Sequence, residues 1–318
     1  VIADLGMVLA GLVLLVLAGD GLVRGAVNLA LRLGIPPIIV GLTVVAFGTS
    51  APELLVSVQA VLRGAPDIAL GNVVGSNIAN ILLVLGIPAL ISAIHLSDAK
   101  CEHGFVVMMA ATAGFIALAF AGPFTWWHGL LLLAGLAYML GDNFNRARAH
   151  RNGKRAEALD AEALEGADPQ MAWWKVLALL AVGLVGLPIG ADLLVDGAVG
   201  IARAVGMSEA VIGLTLVAVG TSLPELAATT AAAFRREADM AVGNVIGSNI
   251  FNLLGIIGIA ALVGPLPVPS QMLGFDLWVM AATSAMLAPF IYWRWVMGRA
   301  MGLVLIAVYV AYVVMLVV

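Results

Sequence analysis

A shift of 172 positions lays this chain on itself: Gly41 to Gly86 meets Gly213 to Gly258 without a gap, and roughly half the positions are identical. The match runs backward more loosely, with Gly19-Asp20 on Ala191-Asp192, Gly25-Ala26-Val27 on Gly197-Ala198-Val199 and Gly34 on Gly206. A duplication of this size limits the fold more than any single motif does. Two like segments present like faces, and a stable packing must bury both.

The medium in which they pack follows from composition. Of 318 residues, 63% are hydrophobic and 11% charged, against about half and about a quarter in ordinary soluble domains. The apolar runs are long and continuous, without the alternation that a barrel strand requires. The expected fold class is therefore an all-α polytopic membrane protein of ten transmembrane helices, near 5–31, 36–63, 67–91, 104–121, 126–142, 173–204, 209–234, 239–263, 275–292 and 300–318. The first apolar run has no basic leader and no obvious cleavage site, so it reads as a span rather than a signal peptide. The single Cys101 excludes an internal disulfide and a multi-cysteine metal site. His95, His103, His128 and His150 fall near span ends or in polar loops and read as interfacial side chains.

The spans divide into an N-terminal half, 1–142, and a C-terminal half, 173–318. Between them lies the one long hydrophilic segment, 143–172, with Arg146, Arg148, Arg151, Lys154 and Arg155 followed by Glu157, Asp160, Glu162, Glu165 and Asp168. Thirty residues are too few for a second core, so this is read as a solvated linker. If it is cytoplasmic, its side of the membrane also holds Arg32, Lys100, Lys175, Arg235, Arg236, Arg294 and Arg299, and the other side keeps Arg63 and Arg203. That is a strong positive-inside bias, and it puts both termini outside. Five spans per half is an odd number, so the second copy must run through the membrane in the opposite sense. The repeats are expected to be inverted, an arrangement typical of secondary transporters.

Each repeat carries two polar clusters about one helix apart. The first is Gly48-Thr49-Ser50-Ala51-Pro52-Glu53, repeated as Gly220-Thr221-Ser222-Leu223-Pro224-Glu225. A charged side chain at bilayer depth costs several kcal/mol and usually marks a functional path. Pro52 has no N–H to give and its ring pushes back the carbonyl one turn earlier. A helix break is expected near Phe47-Gly48, freeing carbonyls such as those of Ala46 and, in the second copy, Ala218. Irregular backbone in a membrane is tolerated where it lines a cavity. Thr49, Ser50 and Glu53 add hydroxyl and carboxylate oxygens within one turn, giving an anionic lining made of oxygen alone.

If the two linings meet at the repeat interface, Glu53 and Glu225 come together, and two carboxylates in a low dielectric need a cation between them. Oxygen ligands without Cys or His favour a hard cation, and flexible ligation by six to eight oxygens suits Ca²⁺ better than Mg²⁺. Na⁺, hard and of similar size, can use the same oxygens. The second cluster is Gly71-Asn72-Val73-Val74-Gly75-Ser76-Asn77-Ile78-Ala79-Asn80, matched by Gly243-Asn244-Val245-Ile246-Gly247-Ser248-Asn249-Ile250-Phe251-Asn252. Ser76 and Asn80 share one helix face, as do Ser248 and Asn252, and can add neutral oxygens. The glycine pairs are equally well explained by close helix packing. Asp20 and Asp192 read as helix-end acids paired with a nearby Arg, such as Arg24, and Asp67 and Asp239 as helix caps.

These two blocks resemble the α-repeats of the cation/Ca²⁺ exchanger superfamily, closest to the prokaryotic sodium/calcium exchangers. The resemblance implies that Glu53 and Glu225 chelate Ca²⁺ with the backbone carbonyls of Thr49 and Thr221. It places Na⁺ sites at Ser50 and Ser222, at the carbonyls of Ala46 and Ala218, and at Ser76 and Ser248. Asn80 and Asn252 fall where some members carry an acid on which K⁺-dependent exchange relies, so K⁺ coupling is not expected. The resemblance also implies that the first and sixth spans slide as a gate across the other eight.

The sequence thus leads to a multi-pass antiporter of the prokaryotic inner membrane, exchanging Ca²⁺ for Na⁺ at one shared site near the midplane. Ca²⁺/H⁺ exchange, with the two Glu as proton carriers, is the alternative, and a cation channel a weaker one. No enzyme is expected, since Ser, His and acid residues show no triad-like grouping. Beyond the ions and the lipid bilayer, neither a cofactor nor a nucleic-acid or protein partner is implied.

Overall fold

A computed structural model describes residues 2–33, 50–94, 99–151, 168, 170–234 and 238–317. Within these residues the chain is almost entirely helical. The N-terminal half gives α1 (Ile2–Arg32), α2 (Ala51–Leu62), α3 (Pro66–Ala79), α4 (Gly86–Ile91), α5 (Ala99–Phe120) and α6 (Trp126–Arg151). The C-terminal half gives α7 (Trp173–Val205), α8 (Glu209–Ile212), α9 (Ala218–Thr221), α10 (Leu223–Phe234), α11 (Ala238–Phe251), α12 (Ile257–Val263), α13 (Leu277–Ala285), α14 (Ala288–Tyr292) and α15 (Arg299–Val317). One π-helical turn, Asn80–Val84, leads from α3 toward α4, and its counterpart Asn252–Ile256 joins α11 to α12.

Seven helices among the described residues are long and apolar enough to cross a membrane, and the bent pair Glu209–Thr221 and Leu223–Thr230 makes an eighth. Two further expected spans are accounted for. Ala51–Leu62 is apolar but short, and the first part of its expected span, 36–49, lies outside the described residues. Trp126–Arg151 is long, but its last turns carry Arg146, Arg148 and Arg151 and continue the helix past the boundary expected at 142. The layout fits ten spans.

The two halves are inverted. α1 and α7 lie against each other antiparallel along their length, with glycine at the crossings. A Cβ on Gly25 would stand 2.9 Å from the Leu180 side chain, one on Gly11 2.7 Å from the Leu194 nitrogen, and one on Gly197 2.6 Å from the Asp4 carbonyl oxygen. Early residues of α1 thus meet late residues of α7. Small residues let helix backbones approach where lipid offers no hydrophobic drive to associate.

Burial sorts the helices into a core and a rim. The span Pro66–Ile91 is 78% buried and Ala241–Val263 83%, whereas the span over α1 is 28% and α7 33% buried. The outer faces of α1 and α7 carry exposed Leu5, Leu9, Leu17, Leu177, Leu184 and Val185, the surface expected against acyl chains. The two helices bearing the second polar cluster therefore form the centre of the molecule. Gly71 and Gly75 place α3 against the second half: a Cβ on Gly75 would stand 2.5 Å from the Leu214 carbonyl oxygen. For these two glycines the close-packing reading holds.

Two smaller expectations change, those for Asp67 and His128, and two further side chains find specific partners. Asp67 lies in the first turn of α3, whose N-cap is Ala65, and makes no cap hydrogen bond; the preceding Gly64, at φ +74°, closes the turn instead. Asp192 does not pair within its own helix as Asp20 does with Arg24, but takes Arg63 of α2 as partner at 2.9 Å. His128 is buried, and its Nδ1 accepts the Thr125 N–H at the start of α6. The partner of His103 is Asp142, at 2.9 Å. His95 lies outside the described residues, as does the side chain of His150.

Candidate functional site

Pro224 begins a helix more than it interrupts one. α9 ends at Thr221, Ser222 adopts φ −81° and ψ 6°, and α10 opens at Leu223 with a bend of 41°. The break falls just before the proline, two residues later than expected, because a proline fits the first turn of a new helix, where its missing N–H has no partner to lose. In the first copy Ser50, at φ −89° and ψ 10°, likewise stands ahead of α2, and Pro52 sits in its first turn. The Ala218 carbonyl is consequently not freed: it accepts the Ser222 N–H at 3.1 Å. It also collects the Thr221 hydroxyl and the Ser76 hydroxyl, each at 3.4 Å. Thr49 and Ala46 lie outside the described residues.

Both carboxylates are buried at the meeting of the halves, with Glu53 0% and Glu225 1% exposed. Each is held by the serine of the opposite copy: Ser50 donates to Glu225 Oε1 at 3.0 Å, and Ser222 donates to Glu53 Oε1 at 3.4 Å. Expectation and structure agree that Ser50 and Glu53 of the first copy face Ser222 and Glu225 of the second. Asn72 braces the arrangement. Its amide nitrogen donates to the Glu53 carbonyl at 3.2 Å and to Ser57 Oγ at 3.0 Å, while its oxygen accepts from Thr221 Oγ1 at 3.0 Å. The twin of the second of these bonds is present, Asn244 donating to Thr229 Oγ1 at 3.3 Å.

The second clusters meet at the same centre. Ser76, Asn80, Ser248 and Asn252 are all buried. Asn80 donates its amide hydrogen to Asn249 Oδ1 and Asn252 to Asn77 Oδ1, both at 3.0 Å. Asn77 and Asn249 in turn exchange amide-to-carbonyl bonds at 3.2 and 3.3 Å. Their amides also touch Met280 Sδ at 3.8 Å and Met108 Sδ at 3.9 Å. Met108 and Met280 are themselves 172 apart, so the duplication extends past the segment in which identity is visible.

The chemistry of this centre lies in what is left over. Glu53 Oε2, Asn80 Oδ1 and Asn252 Oδ1 are buried and take no hydrogen bond from any described residue. Buried polar atoms without a partner are rare and call for an occupant. All three are oxygen acceptors. Buried oxygen acceptors without donors suit a cation. Among the described residues no group of three or more His, Cys, Asp or Glu side chains could hold a metal ion, so a cation here would rest on two carboxylates and neutral amide, hydroxyl and carbonyl oxygens. That donor set suits Ca²⁺ and Na⁺, not a softer metal.

Helical spacing points to Ser76, Asn80 and their twins but assigns no role to Asn72, Asn77, Asn249, Met108 or Met280. The signal available for the asparagines is their recurrence at the 172 offset. The bonding of Asn77 and Asn249 is between halves, and no local pattern encodes it.

A model of the sodium/calcium exchanger protein family matches residues 4–141 and 175–318. The chain is 41% identical over 285 residues to the putative antiporter CaxA of Alkalimonas amylolytica, with 88% of this chain and 87% of the other covered. It is 36% identical over 350 residues to the sodium/calcium exchanger MaX1 of Methanosarcina acetivorans, covering 98% and 97%. Among solved structures it is similar to the sodium-calcium exchanger NCX_Mj soaked with Na⁺ and Sr²⁺, at 35% identity and a TM-score of 0.66, with 99% of this chain and 98% of that one aligned.

Proposed function

Because this chain belongs to the sodium/calcium exchanger protein family, we propose that it is an antiporter that moves Ca²⁺ against Na⁺ through one shared, buried site. The observation that carries the reading is the pair of carboxylates, Glu53 and Glu225, each bonded by the serine of the other copy. One Ca²⁺ neutralises both acids at once. Na⁺ ions do so one at a time, using the same carboxylates with Ser50, Ser222, Ser76, Ser248 and the carbonyls at Ala46, Thr49 and Thr221. Occupancy by one ion excludes the other, and that exclusion is the coupling. An empty centre holding two negative charges in a low dielectric resists closure, which suppresses uncoupled leak.

Alternating access follows from the division of core and rim. α1 and α7 pack on each other through glycine and expose most of their surface, so they can move as a pair across the buried α3 and α11. The basic residues at 146–155 support a linker 143–172 on the cytoplasmic side of a prokaryotic inner membrane, with both termini outside. Asn at 80 and 252 supplies neutral oxygens where an added acid would favour a further cation, which supports Ca²⁺/Na⁺ exchange without K⁺.

The test is ⁴⁵Ca²⁺ movement in proteoliposomes of the full chain. An imposed Na⁺ gradient at equal pH is expected to drive Ca²⁺ against its own gradient. A pH gradient in Na⁺-free buffer, with proton leak controlled, is expected to drive none. Movement under the pH gradient alone would make the protein a Ca²⁺/H⁺ exchanger, and flux far above carrier turnover would make it a channel.

A further inference from the structure

Asn80 and Asn252 each have one amide nitrogen and one amide oxygen, and only the oxygen is of use to a cation. Which end faces the centre is decided elsewhere. The Asn252 nitrogen is taken by Asn77 Oδ1 and the Asn80 nitrogen by Asn249 Oδ1, both at 3.0 Å. This leaves Asn80 Oδ1 and Asn252 Oδ1 buried and without a hydrogen-bond partner among the described residues. Asn77 and Asn249 cannot turn over to offer nitrogen instead. Their own amide hydrogens are committed to each other's backbone carbonyls at 3.2 and 3.3 Å, with Met280 and Met108 sulfur on the same side. The four asparagines are buried, at 0 or 1% exposed, so water cannot replace a broken bond, and a flipped amide would leave donor facing donor.

We infer that Asn77 and Asn249 are positioning residues that fix the carbonyl oxygens of Asn252 and Asn80 toward the ion, and that they do so across the repeat boundary. The role rests on the ion site proposed above and deepens it. Neither half can orient its own amide ligand. Asn77 of the first repeat aims Asn252 of the second, and Asn249 of the second aims Asn80 of the first. The consequence is that α3 and α11 must keep their mutual register throughout the cycle, because a slip of either would turn two ligands away together. The centre is therefore a rigid frame around which the rim moves.

The crossing gives the proposal a signature that a merely structural asparagine lacks. Ca²⁺ affinity is measured by isothermal titration on the full chain in detergent, for Asn77→Ala, Asn80→Ala, Asn249→Ala, Asn252→Ala and their pairs, with folding followed by size exclusion. Asn77→Ala is expected to weaken Ca²⁺ binding about tenfold, and to add little once Asn252 is already Ala, because it acts through that side chain. In the Asn80→Ala background the effect of Asn77→Ala is expected in full. Asn249→Ala should show the mirror pattern, silent with Asn80→Ala and additive with Asn252→Ala. Effects that add in every pair, or that couple within one repeat, overturn the inference. Should an Ala variant fail to fold, Asn77→Ser and Asn249→Ser keep a polar group too short to reach the partner amide and carry the same expectation. Glu53→Gln is run alongside: if it leaves Ca²⁺ binding unchanged, the site itself is misplaced, a failure separate from that of the crossed pairs.

Discussion

Ser50 and Glu225 are 175 positions apart in sequence and 3.0 Å apart in space, the hydroxyl of one copy donating to the carboxylate of the other. Ser222 and Glu53 repeat the contact at 3.4 Å. The serine ahead of each proline-bearing helix turns its hydroxyl across the interface, so each half-site is finished by the other. Inversion accommodates this: a two-fold axis in the membrane plane brings equivalent segments head to head at the depth of that axis.

The two carboxylates should therefore be needed together. Glu53→Gln and Glu225→Gln keep the side-chain shape but remove the charge that a divalent ion must find. Breaking such a buried charge pairing costs about 3 kcal/mol or more, which corresponds to Ca²⁺ affinity weakened by about 100-fold or more. Each variant is expected to elute and melt as the parent does while losing Na⁺-driven ⁴⁵Ca²⁺ transport. Normal exchange by either would remove that Glu from the site.

The duplicated clusters are legible because the same residues stand in both halves, and because Pro and Glu inside an apolar run seldom serve packing alone. Gly71 and Gly75 are legible only as a choice between packing and ligation, and the 2.5 Å approach to Leu214 decides for packing. The ring's clash with a preceding carbonyl puts the break before Pro224 two residues too early, since the ring's fit to a helix start prevails. What cannot be read is the asparagine and methionine bonding across the pseudo-two-fold axis. Asn77 and Asn249 look like helix-interior polar residues until α3 and α11 are set side by side, and Met108 and Met280 lie where the sequence identity has faded. Asp192 finds its partner in Arg63 of another element for the same reason.

That partner joins rim to core. Arg63, just beyond α2, holds Asp192 at 2.9 Å and reaches Asp196 at 3.8 Å, both on α7. At the register position of Asp196 the first half carries Arg24, which neutralises Asp20 within α1. The contact acts on α7, and if α7 moves during exchange it favours the arrangement in which α7 is docked. All three side chains are partly exposed, so the pair adds little to overall stability, but an access equilibrium is sensitive to small biases. Arg63→Ala is expected to leave the melting temperature nearly unchanged and to shift the apparent Ca²⁺ affinity measured from one side of the membrane by about two- to fivefold. The exchange Arg63→Asp with Asp192→Arg should bring it back. An unchanged affinity on both sides would show that the contact is decorative.

A second polar contact has no counterpart in the first half. Asp276, at the end of the π-helical turn Met272–Asp276, is buried and accepts the Tyr312 hydroxyl of α15 at 3.0 Å. It ties the outermost helix to its neighbour as polar glue in an apolar setting. Tyr312→Phe removes the donor and leaves the acid buried with no described partner, a loss of about 1–3 kcal/mol. Removing both groups, with Asp276→Leu and Tyr312→Phe combined, is expected to be less harmful than Tyr312→Phe alone. Thermal melting in detergent reads the order directly, and a double variant less stable than the single one would contradict it.

The glycines between α1 and α7 permit the sharpest comparison, because one helix supplies both test and control. A Cβ on Gly11 would stand 2.7 Å from the Leu194 nitrogen and 2.8 Å from the Gly190 carbonyl oxygen, backbone atoms that cannot rotate aside. A Cβ on Gly6, one and a half turns earlier, would meet nothing within 4 Å. Gly11→Ala must therefore part the two helices, at a cost of about 1–3 kcal/mol for overpacking, whereas Gly6→Ala should if anything gain from better helix propensity. If α1 and α7 move as one body, parting them slows transport while ion binding in the core, tens of residues away in α3 and α11, is unaffected. Gly11→Ala is expected to lower the exchange rate several-fold at unchanged Ca²⁺ affinity, and Gly6→Ala to change neither. Equal behaviour of the two variants would mean that the close contact between α1 and α7 is not maintained during exchange.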